Sequence, residues 1–203
     1  YTILRQRVNR LRERFPDDLM ADVTAPGVTA IVSFTTLQLA CGDGARQDAY
    51  LFRARLLYSG NRYLHFSPTC DLAATIYEHQ RAFEHFGGVP LTVRYQEVPA
   101  VFAQPSSDDR PLNRTFLSFA CHYGFRPLGD PLPNRESGED QKFWRQLHAD
   151  FVDNQTFRSL EHANDKLHSM QMTTTSHCDA LGTARDAREK KLLIQLPTYP
   201  WSG

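Results

Sequence analysis

Residues 82–102 read AFEHFGGVPLTVRYQEVPAVF, and the order of signals in this stretch decides the fold. An apolar helix runs into Gly87-Gly88, and glycine directly after the last periodic residue is a helix-stop signal. Pro90 follows and pushes the residue before it out of the helical region. Leu91 to Tyr95 is short and rich in β-formers, so it reads as a strand. Helix, glycine stop and strand make up part of a parallel crossover. The carboxyl end of such a strand is where α/β sheets usually place their chemistry. Here that end carries Gln96 and Glu97.

Upstream, three β-rich runs follow the Pro26-Gly27 boundary: Thr29 to Ala40, Ala49 to Tyr58 and Arg62 to Ser67. Cys41-Gly-Asp-Gly44 and Ser59-Gly60-Asn61 are turn sequences, so the three runs form an antiparallel meander. Pro68-Thr69 leads into a helix with Asp71 in its first turn, where a negative charge suits the dipole. Leu72, Ile76, Phe83 and Phe86 are its expected inward residues. Downstream, Leu112 to Tyr123 reads as a helix stopped by Gly124, and Phe125 to Leu128 as a last short strand. Helices are expected over Glu139 to Phe151 and Phe157 to Met170. Met172 to Lys191 is expected to be irregular, and Leu192 to Leu196 to be a short strand. Pattern alone therefore gives a mixed α/β sheet with helices on both faces.

Ahead of all this, Ile3 to Phe15 has helical apolar spacing, with Arg5, Arg7, Arg10, Arg12 and Arg14 filling most of the remainder. Arginine suits bidentate phosphate contact, so this helix is a candidate DNA contact. Arg135, Lys142 and Arg145 are further candidates, as are Arg110, Arg114 and Arg126. The division expected is a helical linker over 1–24, a core over 25–155, and a helix with tail over 156–203.

Lys+Arg and Asp+Glu both number 23, so the net charge is zero. A dedicated nucleic-acid domain is usually basic, so DNA contact is expected from local patches. No run approaches the ~18 apolar residues of a membrane span. The opening YTILRQRVNR does not read as a signal peptide, and a chain that opens on Tyr1 reads as a piece of a longer protein. Cys41, Cys70, Cys121 and Cys178 show no C-x-x-C spacing, which fits reduced thiols of a cytoplasmic protein rather than a zinc site. Ser33 as a nucleophile would need a histidine such as His65 beside it. The cluster Phe143, Trp144 and Phe151 has the spacing of core packing rather than of a stacking platform.

AFEHFGGVP before a strand and a dipeptide resembles the catalytic core of the IstA-type transposases, the large transposases of one class of bacterial insertion sequences. HYGFRPLGDPLPNRESGEDQKFWRQLHADF (His122 to Phe151), LEHANDKL and the closing LLIQLP extend the resemblance over nearly the whole chain. It implies a ribonuclease-H-like fold: a mixed sheet of three antiparallel strands, then two parallel ones. It also implies a family that cuts and joins DNA with two divalent ions held by three carboxylates. Two metals clamp the attacking and leaving oxygens of a phosphoryl displacement, and magnesium needs hard, charged oxygen ligands.

Carried over position by position, those three carboxylates fall on Ser33 in the first strand, Gln96 at the end of the fourth, and Gln141 on the helix after the last. None is acidic. No Asp or Glu occurs between Asp22 and Asp43, so the first strand offers a metal no carboxylate. Glu97 and Asp140 are weak substitutes beside two of the positions. Phe34-Thr35 replaces the Trp-Gly-like pair expected after the first acid. Ser137 and Glu139 stand where the family is basic. The expectation is a degenerate, catalytically inactive core that binds no metal and keeps its fold, with DNA or subunit binding retained. An active strand-transfer enzyme using Mg2+ or Mn2+ through relocated carboxylates is the first alternative. The second is an interaction module without nucleic acid, forming a homo-oligomer or binding the family's helper ATPase.

Overall fold

A computed structural model describes residues 24–42, 44–96, 98–102, 111–129, 138–153, 155–176 and 180–202, with the side chains of 138–141, 153, 172–176 and 180–181 left aside. The β-branched run Thr29–Cys41 forms strand β1, and Ala45–Leu56 forms β2. The turn between them places Gly42 and Gly44 at φ 64° and 90°, a region glycine enters without a steric penalty. Strand β3, Arg62–Ser67, completes the antiparallel meander.

Helix α1 spans Leu72–Phe86. Asp71 sits at its N-cap rather than inside the first turn and accepts from the Ala74 N–H at 2.8 Å. The helix ends where Gly87 turns left-handed at φ 74°. Gly87 N–H bonds to the Glu84 carbonyl, and Gly88 N–H reaches back to that of Phe83, the pairing of a Schellman stop. Strand β4, Thr92–Gln96, then runs parallel to β1. Helix α2, Arg114–Tyr123, is capped by Asn113 and stopped by Gly124. Strand β5, Arg126–Gly129, pairs parallel with β4. The strand order is β3-β2-β1-β4-β5. This is the expected mixed sheet, with helices on both faces.

Three expectations fail beyond residue 150. Helix α3, Gly138–His148, runs on into a π-helical turn, Ala149–Asp153. Thr156–Phe157 is not helical but forms β6, parallel to the far end of β1. The helix expected over Phe157 to Met170 is present as α4, Leu160–Ser176, and α5 covers Ala180–Lys190, where an irregular segment was expected. Helix α5 carries few apolar residues, so periodicity misses it. In α5 the helix formers Ala, Arg, Glu and Lys supply propensity instead. Residues 192–196 contribute a single bridge, Ile194 to Val89, rather than a strand.

Side chains alternate across the sheet, and each face has its own core. Val32, Phe34, Phe52, Val93 and Tyr95 pack beneath α1 and α2 with Phe83, Phe116 and Phe119. Leu37, Leu39, Leu51, Leu64 and Phe66 pack beneath α3 and α4 with Leu147, Phe151 and Leu167. Burying each such side chain is worth ~1.5–3 kcal/mol. Helix α4 also protects the β3 edge. Asn164 bonds both the N–H and the carbonyl of Phe66, and Gln171 both those of Leu64. The open edge is thereby satisfied by amides rather than left for another strand.

Candidate functional site

The pleat of β1 sends Val32 and Phe34 into one core and Ser33 to the opposite face. Ser33 is flanked there by Arg53 of β2 and by Gln96 of β4, its register partners on the two sides. Residues opposite one another in register project to the same face. Ser33 and Arg53 are buried, at 7% and 5% exposure, and Gln96 is half-buried. Among the described residues, Ser33 Oγ and Gln96 Oε1 are buried atoms that make no hydrogen bond.

Helix α3 lies over the same face. The Arg53 guanidinium stacks on the Trp144 ring at 5.1 Å, and that of Arg62 on Phe143 at 5.1 Å. Gln141 belongs to α3, three residues before Trp144. Residues three apart lie on one side of a helix, about a turn from each other. The side chains of Gln141 and Asp140 lie outside the described residues, as do Glu97, Arg5, Arg7, Arg10, Arg12, Arg14, Arg110 and Arg135. Lys142 and Arg145 are exposed on α3. Phe151 is fully buried in the core beneath α3 and α4, as packing spacing requires.

The charge of this face was not anticipated. Alternation and register place Arg53, Arg55, Arg62, Arg94 and Arg126 on it. No Asp or Glu occupies a strand position on the same face among the described residues. The signal lay in RARL, NRYLHF, TVRYQ and FRPL, where each arginine falls on the opposite parity from the residues of the α1–α2 core. Among the described residues no three His, Cys, Asp or Glu side chains are grouped to hold a metal. A guanidinium and a dication within about 5 Å of each other repel by roughly 7 kcal/mol at an effective dielectric of about 20.

The serine-nucleophile alternative fails on geometry. His65 lies on the opposite face from Ser33, opposite Phe52, and its Nδ1 is 2.9 Å from Glu78 Oε1. The Tyr63 hydroxyl donates to the other Glu78 oxygen at 3.0 Å. Burial and the Glu78 charge push the Tyr63 phenol well above its usual range. Deeper on that side, His79 is fully buried. Its Nδ1–H donates to the Thr75 carbonyl at 2.6 Å, and its Nε2 accepts from the Tyr95 hydroxyl at 3.0 Å. Burial lowers its pKa to about 4, so it is a neutral core residue. Cys41, Cys70 and Cys121 are free thiols, and Cys178 lies outside the described residues. No helix among the described residues is long and apolar enough to cross a membrane.

No protein-family model matches the sequence. A transposase for an IS21-like insertion sequence element from Bacteroides fragilis is 28% identical over 123 residues, which is 60% of this chain and 22% of that protein. A putative transposase for insertion sequence element IS5376 from Geobacillus stearothermophilus is 27% identical over 146 residues, 71% of this chain and 36% of that protein. The chain therefore spans well under half the length of either relative. Among solved structures, the simian T-cell lymphotropic virus intasome in complex with the PP2A regulatory subunit B56 gamma matches with a TM-score of 0.54. It is 14% identical, over 89% of this chain and 59% of that one; this last likeness is one of fold.

Proposed function

Because the chain has the ribonuclease-H-like core of the insertion-sequence transposases and integrases, we propose that it is a degenerate member of that group, catalytically inactive, that keeps affinity for the DNA backbone. The single observation that supports this reading is the row Arg53, Ser33, Gln96 across three adjacent strands. Resemblance assigns two of the family's three carboxylates to positions 33 and 96, and neutral side chains stand there beside a buried guanidinium. Two adjacent dications need negative ligands to offset their charge and desolvation. A serine hydroxyl and an amide oxygen supply none, and Arg53 adds repulsion. These residues do not fit a pair of magnesium ions, and no metal-dependent step is assigned to the chain.

Relocated carboxylates answer this poorly. Glu97 and Asp140 would still leave β1 without an acid and Arg53 in place. The arginine face also favours a DNA-binding form of this reading over a module that touches no nucleic acid, which zero net charge alone had suggested. Self-association and docking of a helper ATPase are expectations of the same resemblance and are best tested on the intact protein.

The test is a strand-cleavage and strand-transfer assay on duplex DNA with Mg2+ and with Mn2+. Turnover no higher than in EDTA is the expected result. Metal-dependent cleavage lost on Glu97→Gln or Asp140→Asn overturns the inactive reading.

A further inference from the structure

We propose that the arginine face of the sheet, at Ser33, Arg53, Arg94 and Trp144, binds a phosphate group directly, with no metal between protein and phosphate. The proposal rests on the reading of this core as inactive, and deepens it by naming what the former cation site takes instead.

Three donors carry the inference. Ser33 Oγ, Arg94 Nε and Trp144 Nε1 are buried polar atoms that make no hydrogen bond among the described residues. Buried polar groups are normally paired, so each such orphan asks for an explanation. Arg and Trp nitrogens only donate, and a serine hydroxyl can. What would satisfy all three is therefore an acceptor, and a positively charged face makes it an anionic one. The three groups come from β1, β4 and α3, three separate elements that meet on this face. Gln96 and Ser33 are register partners, and Arg94 lies one pleat repeat before Gln96 on the same face. Arg53, the register partner of Ser33, brings a guanidinium that lies over the Trp144 ring at 5.1 Å. Gln96 can join by turning its amide so that nitrogen rather than oxygen faces the site, since the two ends are interchangeable in shape.

A tetrahedral oxyanion with several acceptor oxygens meets donors from several directions, whereas a planar carboxylate is best met by one fork. Arginine is suited to phosphate by its fork of N–H groups. The phosphate could be a diester of a nucleic-acid strand or free inorganic phosphate. Both present the same oxygens, and the experiment separates them.

The experiment is calorimetric titration of the intact chain in EDTA with two probes, inorganic phosphate and a short single-stranded oligonucleotide lacking a terminal phosphate. Ser33→Ala and Arg94→Gln are titrated alongside, with circular dichroism as a check on folding. Binding of at least one probe in EDTA, weakened about tenfold by each variant, is the expected result. Binding of the oligonucleotide identifies the diester, and binding of phosphate alone identifies the free anion. Should Arg94→Gln fail to fold, Ser33→Ala carries the test, because it removes one oxygen and no charge. No binding of either probe, or binding equal in wild type and variants, overturns the phosphate site and leaves the inactive-core reading standing. The same titrations are repeated with Mg2+ in place of EDTA, and binding that appears only there overturns both.

Discussion

Arg53 and Ser33 are register partners on neighbouring strands, so a buried arginine and a buried serine project side by side onto one face of the sheet. This relationship means that restoring acids is not enough to restore a metal site. A carboxylate placed at position 33 would share its face with the Arg53 charge.

Ser33→Asp, Gln96→Asp and Gln141→Glu made together should give weak Mn2+ binding. Adding Arg53→Gln to the three should tighten it by at least tenfold, about 1.4 kcal/mol. Mn2+ titration followed by electron paramagnetic resonance compares the two. Equal affinities would show that Arg53 does not reach the site.

Glu189 clips the C-terminal helix to the meander. It is fully buried and accepts from the Gly27 N–H at 3.0 Å and the Ser59 N–H at 2.9 Å. Glu189→Ala leaves both donors without this acceptor and should cost about 2–4 kcal/mol in urea unfolding. Glu189→Gln keeps one acceptor oxygen and should cost about half as much.

Acid should weaken the fold through His79. Its folded pKa, about 4, lies below its ordinary value of 6.5. The unfolded chain therefore takes up the proton first as pH falls, and stability is lost between about pH 6.5 and pH 4. His85 is shifted the same way by burial. The loss attributable to His79 is a few kcal/mol at most. The double change His79→Leu with Tyr95→Phe removes the titrating ring and the hydroxyl that donates to it. Its melting temperature should fall less between pH 7 and pH 4.5 than that of wild type.

The stretch 82–102 shows how much could be read in advance. Its helix stop, strand and parallel crossover are local chemistry, and they stand where Gly87 and Pro90 put them. Gly88 was read as part of the stop, and its second role lies in tertiary contact. A Cβ there would stand 2.6 Å from Leu193 Cβ and 2.9 Å from the Ile194 carbonyl oxygen. Those atoms are a hundred residues away in sequence, and no local rule reveals them. The same holds for the site. Ser33 and Gln96 could be named from the resemblance, but their direct opposition needed the register. The arginine face needed four strands at once, because β2, β3, β4 and β5 each contribute only one or two of its members. Beyond 157, the helix read over Phe157 to Met170 is present as α4, whereas α5 went unread because it draws on propensity more than on an apolar stripe.

Gly88→Ala should accordingly destabilise by about 1–3 kcal/mol through overpacking, with loss of protection at the Val89 and Ile194 amides, which bond each other's carbonyls. Amide hydrogen exchange reads this directly. Unchanged protection at both would mean that the tail yields without cost.

The central claim is that the place where the family holds two cations has lost its affinity for them. Titration of the wild-type chain with Mn2+, followed by electron paramagnetic resonance at neutral pH, tests it with nothing else in the tube. The account predicts a signal that tracks free Mn2+ to millimolar concentration, with no saturable site. A saturable site that disappears on Glu97→Gln or Asp140→Asn would contradict it.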